Sequence, residues 1–165
     1  MHDAALKFVA DFAAITGLET AEVTAVDIGG RETNGHARWV FRNADWTVVD
    51  AADGLGVDVV ADGASWQPPE LVDLVLYAEV GEHTPSNAAI IANICMMLKP
   101  GGTCVMTMAG PGREVHGLHH DDPLTPGGWY QNVQPDELEY ALQAAGFSEW
   151  EVDQLGEDVR AWARR

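Results

Sequence analysis

The chain is poor in positive charge and in cysteine. Only 9 of its 165 residues are lysine or arginine, against 26 aspartates and glutamates, for a formal charge of −17. A surface of that sign repels a phosphate backbone, which argues against nucleic acid as a partner, and ordinary solubility accounts for the acidity without naming any ligand. The two cysteines, Cys95 and Cys104, lie in apolar surroundings. They are too few for a disulfide framework and form no metal-type pair, so a reducing cytoplasm is the expected compartment. Missing too are a basic and apolar leader and any apolar run near the roughly 20 residues of a membrane helix. These absences lead us to expect a soluble intracellular protein with one domain over residues 1–165.

What the chain does have is a regular alternation of apolar segments. Leu6, Phe8, Val9, Phe12, Ala13 and Ile15 recur at helical spacing ahead of Gly17, which predicts an amphipathic helix over about residues 3–16 that packs on a sheet or covers a ligand. Short apolar runs follow at 23–28, 46–50, 57–60 and 72–76, closing on or near Gly29, Asp50, Asp62 and Glu79. They read as buried parallel strands whose carboxyl ends face a ligand crevice. One helix carrying Ala37, Val40 and Phe41 is expected to run to about Arg42, and another from about Pro85 to Leu98, ended by Lys99-Pro-Gly-Gly102. Residues 51–56 are too few for a crossover helix, so one helix of the ideal pattern is missing. A strand at 103–108 precedes a long loop rich in Gly, Pro, His and Asp, and a loop of that length in a compact domain often carries function. A helix from Pro135 to Gly146 and an antiparallel hairpin, 147–154 with 158–163, close the chain.

Three cofactor classes compete for the turn at Gly29 and Gly30. A dinucleotide fingerprint requires Gly-x-Gly-x-x-Gly to set a pyrophosphate on a helix N-terminus, which Gly29-Gly30-Arg31-Glu32-Thr33-Asn34-Gly35 does not fit. A phosphate loop requires lysine and a hydroxyl after its second glycine, where His36 and Ala37 stand instead. S-adenosylmethionine carries no phosphate; it needs glycines only for close approach of its amino acid and ribose, and its positive charges favour carboxylates. Asp50, about twenty residues beyond the turn, suits the two ribose hydroxyls, and Asp62 suits an adenine amino group. A strand-end aspartate is also an ordinary cap or turn residue, but two of them in order after the glycine turn favour the cofactor.

In these features the chain resembles the Rossmann-like S-adenosylmethionine-dependent methyltransferases, particularly the small methyltransferase-domain or type 11 proteins. The likeness runs from about residue 23 to 163, through Val-Asp-Ile-Gly-Gly-Arg-Glu-Thr-Asn-Gly (26–35), Val-Val-Asp (48–50), Gly-Val-Asp-Val-Val-Ala-Asp-Gly-Ala (56–64) and Asp-Leu-Val-Leu-Tyr-Ala-Glu-Val-Gly-Glu-His (73–83). Leu98-Lys-Pro-Gly-Gly102 and Ala144-Ala-Gly-Phe147 complete the order. It implies a doubly wound, seven-stranded, mostly parallel sheet with an antiparallel last strand, in three α/β/α layers. The same resemblance implies S-adenosylmethionine as cofactor and S-adenosylhomocysteine as product. Asp27, Gly29 and Gly30 would then line the methionine side, Asp50 the ribose, and Asp62, Gly63 and Ala64 the adenine, with Ala78 and Glu79 beside the methyl group. Arg31 stands where many members have a further glycine, and either crowds the cofactor or points to solvent.

Methyl transfer from a sulfonium is an in-line displacement, so the protein chiefly positions the nucleophile and supplies a base where the acceptor carries a proton. His83, His116 and His119 are the candidate catalytic residues, with His120, Glu79, Glu82 and Tyr130 behind them; His83 is equally placed to start a helix or pack. The segment from His116 to Asp122 has metal-capable side chains without a recognised metal spacing, so no metal is assigned. It reads as a solvated acidic loop, an acceptor lid or a metal site. Trp129 and Tyr130 offer an aromatic wall or close the core, and Trp66 covers the adenine or packs. The expected acceptor is a small molecule or a protein side chain, with no membrane partner, and exposed sheet edges allow a homodimer. Two other classes compete: a cofactor-binding or interaction module without turnover, and a nicotinamide oxidoreductase by fold analogy alone.

Overall fold

The computed structural model describes residues 2–33, 35–117 and 122–165. Helix α1, Asp3–Thr16, buries Ala5, Val9, Phe12 and Ala13 along one stripe. It stops at Gly17, whose φ of 76° turns its amide back to the Ala14 carbonyl. Strands β1 (Val23–Ile28), β2 (Ala44–Asp50), β3 (Val59–Val60) and β4 (Val72–Ala78) follow. Then come α2 (Asn87–Met97), β5 (Leu98–Ala109), α3 (Pro135–Ala145), β6 (Glu149–Leu155) and β7 (Asp158–Arg164). They form one seven-stranded sheet in the order β3-β2-β1-β4-β5-β7-β6. The first five strands pair in parallel, while β7 lies antiparallel between β5 and β6. This is the doubly wound sheet that the resemblance implied, and the reversal of strand order between β1 and β4 opens a crevice at their carboxyl ends.

Alternate residues of the central strands feed opposite layers. Ala25, Leu74, Leu76 and Val105 join Val9 and Phe12 of α1. Val26, Val75, Tyr77 and Met106 join Ile91 and Ile94 of α2 and Leu138 and Leu142 of α3. Covered on both faces, these strands are apolar at consecutive positions, which is why they read as unbroken apolar runs. Among the described residues no helix is long and apolar enough to cross a membrane.

Some boundaries differ from the sequence reading. The segment before Arg42 forms only a single 3-10 turn, Arg38–Val40, and not a longer helix. Ala37, Val40 and Phe41 are buried as their spacing suggested, but Arg38 is drawn inward to Asp27, and so short a segment gains little from helical hydrogen bonds. The edge strand β3 shrinks to Val59–Val60, because Asp58 instead folds its carboxylate onto the Val48 amide at 2.8 Å. Strand β5 begins at Leu98, and the Pro100-Gly-Gly stretch is absorbed as an irregularity: Val72 pairs with Leu98, yet Leu74 pairs with Thr103.

Candidate cofactor and acceptor site

The carboxyl ends of β1, β2 and β4 surround a cavity of about 320 Å3 whose walls include Gly29, Asp50, Asp62, Gly63, Glu79 and His83. Gly29 has a φ of 75°, and a Cβ there would lie 2.3 Å from Val80 Cγ2. Any side chain would therefore separate the β1 turn from the β4 turn. A Cβ on Gly30 would stand 2.4 Å from Asp27 Oδ2, so the second glycine admits the buried carboxylate beside it. Asp50 accepts hydrogen bonds from the Ala52 amide at 2.9 Å and the Arg31 amide at 3.3 Å. Those bonds hold its carboxylate on the cavity wall with acceptor capacity to spare.

Asp62 accepts from the Ala64 amide at 2.9 Å, a local turn bond that also shapes the wall. Sequence reasoning missed the residue that fixes this turn. Asn93, on α2 and 2% exposed, donates to the Gly63 and Trp66 carbonyls at 2.9 and 2.7 Å and accepts from Gln67. A lone asparagine within the apolar sequence Ala-Ile-Ile-Ala-Asn-Ile-Cys was the available signal, since a buried amide must find partners. Ala64 and Trp66 pack against the core on this side, and neither belongs to the cavity wall.

Asp27 is 4% exposed and bound by Arg38 Nη1 at 2.6 Å. Arg38 also reaches the Gly30 carbonyl at 2.8 Å and Glu32 at 2.7 Å, a second feature that the sequence did not reveal. Burial pushes the Asp27 carboxyl up to about 6, against the pull of Arg38. With Gly30, Ala78 and Glu79 it borders a smaller recess of about 60 Å3.

Glu79 has a φ of 59°, an uncommon conformation for a side-chain-bearing residue, and its amide donates to the Thr107 carbonyl at 2.7 Å. Its carboxylate lies 3.4 Å from His2, which is also 3.2 Å from Asp158. Burial pushes the Glu79 carboxyl up, but His2 outweighs it and holds the group below its ordinary range. Four residues on, His83 forms an edge-on cluster with His116 and Tyr130, at centroid distances of 5.2 and 5.4 Å, and His116 meets Tyr130 at 4.8 Å. Burial first, then the proximity of His116, lowers His83 below the ordinary histidine value, so its ring is neutral at neutral pH.

His83 also borders a second cavity of about 570 Å3, with Arg31, Leu55, Pro123, Leu124 and Trp129 among its walls. Among the sequence-predicted bases, then, His83, His116 and Tyr130 are brought together. His119 and His120 lie outside the described residues. Among the described residues no group of three metal-ligating side chains is gathered.

A family profile described as a methyltransferase domain matches residues 9–152. The chain belongs to the methyltransferase-domain family. Its class of chemistry is S-adenosylmethionine-dependent methyl transfer. No curated protein sequence matches the chain. Solved structures share the fold at low identity. The Burkholderia thailandensis 1,6-didemethyltoxoflavin-N1-methyltransferase, with 1,6-didemethyltoxoflavin and S-adenosylhomocysteine bound, is 17% identical, with a TM-score of 0.70 over 98% of this chain and 78% of its own. The N-methyltransferase NodS from Bradyrhizobium japonicum WM9, in complex with S-adenosylhomocysteine, is 17% identical, with a TM-score of 0.61 over 95% of this chain and 84% of its own. The [4+2]-cyclase SpnF is 23% identical, with a TM-score of 0.62 over 88% of this chain and 58% of its own. The cyclase shows that this fold hosts more than one chemistry, so family membership rests on the profile match and not on shape.

Proposed function

We propose that the 320 Å3 cavity holds S-adenosylmethionine, that the adjoining 570 Å3 cavity holds a small-molecule acceptor, and that His83 is the base between them. The observation that carries this reading is the position of His83 on the walls of both cavities. The glycine cradle at Gly29 and Gly30, which a Cβ would fill, supports the methionine end, with Asp27 behind it. Asp50 accepts from the ribose hydroxyls, Asp62 with Gly63 receives the adenine while Ala64, off the cavity wall, holds the Asp62 carboxylate through its amide, and Glu79 places a negative charge beside the sulfonium. When bound, the cofactor supplies an electrophilic methyl group and leaves as S-adenosylhomocysteine.

The chain contributes position and a proton acceptor. Neutral His83 takes the proton that an acceptor nitrogen or oxygen gives up as it bonds to the methyl carbon, while the walls keep nucleophile and methyl in line. The bound small molecule of the Burkholderia enzyme supports an acceptor of that size. Calorimetric titration with S-adenosylhomocysteine tests the cofactor half. Wild type should bind, and Asp50→Ala should bind about 10- to 100-fold more weakly, as expected for losing hydrogen bonds to a charged acceptor. Unchanged affinity in the variant would remove Asp50 from the site.

A further inference from the structure

We infer that Arg31 is a specificity residue that selects an acceptor bearing an anionic group, a carboxylate on a planar aromatic frame being the class that fits. The inference rests on the two-cavity reading above. All nine basic side chains lie within the described residues, and eight of them have partners there. Lys7, Arg38, Arg42, Lys99, Arg113, Arg160 and Arg164 pair with carboxylates, and Arg165 donates to the Met96 and Leu98 carbonyls. Arg31 alone among them engages neither a carboxylate nor a carbonyl through its side chain, and its Nε is buried without a hydrogen-bond partner. In a chain of charge −17 this arginine stands outside every ion pair among the described residues. A buried guanidinium nitrogen without a partner is costly until something accepts its hydrogen.

The direction of the side chain decides what that partner is. A Cβ on Gly54 would meet Arg31 Cδ at 2.5 Å and Cγ at 2.9 Å, so the stem runs out over the loop that follows β2. Only its backbone amide bonds to Asp50, and Arg31 borders the methionine-end recess and the 320 Å3 cavity as well as the 570 Å3 one. Gly54 borders the 570 Å3 cavity and not the 320 Å3 one. The stem over Gly54 therefore assigns the guanidinium to the acceptor side of the boundary between the two cavities, both of which Arg31 borders. Three carboxylates share the larger wall, but Glu32 is already bonded to Arg38, and Asp53 and Asp122 are exposed and hydrated. Trp129, also on that wall, offers an aromatic face, and a planar guanidinium matches a carboxylate bidentately.

The test is an amide NMR titration of the protein saturated with S-adenosylhomocysteine, using three probes of one shape and different charge: naphthoate, naphthamide and naphthylmethylamine. Naphthoate should bind at least about tenfold tighter than the other two and shift the Trp129 indole resonance. Arg31→Gln, which keeps most of the stem, should erase the preference and leave S-adenosylhomocysteine affinity within about twofold, and Arg31→Lys should restore part of it. Equal binding of the three probes, preference for the amine, or no naphthoate binding at millimolar concentration would overturn the proposal. So would a loss of S-adenosylhomocysteine affinity in Arg31→Gln, which would assign the guanidinium to the cofactor's own carboxylate. Failure of wild type to bind S-adenosylhomocysteine at all would instead overturn the cofactor reading on which the proposal stands.

Discussion

Glu82, in the 3-10 turn after β4, is 1% exposed and leaves Oε2 without a hydrogen-bond partner. Burial first, then the charge of Glu79, pushes its carboxyl up to about 8. The folded state keeps a proton there that the unfolded chain loses, so this contribution to stability is complete at acid pH and falls away as pH rises to about 8. Glu82→Gln, locked in the neutral shape, should accordingly melt progressively higher than wild type between about pH 5 and pH 8. A melting difference that stays flat with pH would mean that the carboxyl ionises normally. For His83 the sign is opposite: burial disfavours the charged ring, so its NMR titration midpoint should fall below 6.5. A midpoint at or above that value would remove the neutral base from the proposed mechanism.

Elements, more than single residues, carry the shape of the cofactor cavity. The Asp62–Trp66 turn is held from α2 by Asn93, so a helix on one face of the sheet positions a loop at its edge. Asn93→Ala should destabilise the fold by about 1–3 kcal/mol through two unpaired carbonyls and should weaken S-adenosylhomocysteine binding. Urea unfolding and titration calorimetry together check this; a stability loss with full affinity would confine Asn93 to a structural role. Apolar periodicity made α1, α2, α3 and the strands legible, because burial repeats along them every three to four residues or runs unbroken. The segment around Arg38 was misread because its inward face is set by an ion pair with Asp27, a partner that local spacing does not reveal.

At the scale of the whole molecule, the excess of negative charge acts as self-repulsion. Raising ionic strength from about 0.01 M to 0.15 M shortens the screening length from about 30 Å to about 8 Å and should raise the melting temperature. A fall would mean that surface pairs such as Arg164 with Glu149 outweigh the repulsion. The amino-acid order alone determined the sheet, its parallel sense, the glycine turn and the strand-end carboxylates, since each depends on periodicity, backbone freedom or position along a strand. Only the tertiary structure decided which of these meet. It placed His83, His116 and Tyr130 in one cluster, Arg38 on Asp27, His2 on Glu79 and Arg31 over Gly54, from segments far apart in the chain or turned toward one another only by the loops. Such contacts follow from the three-dimensional closure of a switch-point crevice, where burial and desolvation act between neighbours in space that are not neighbours in sequence.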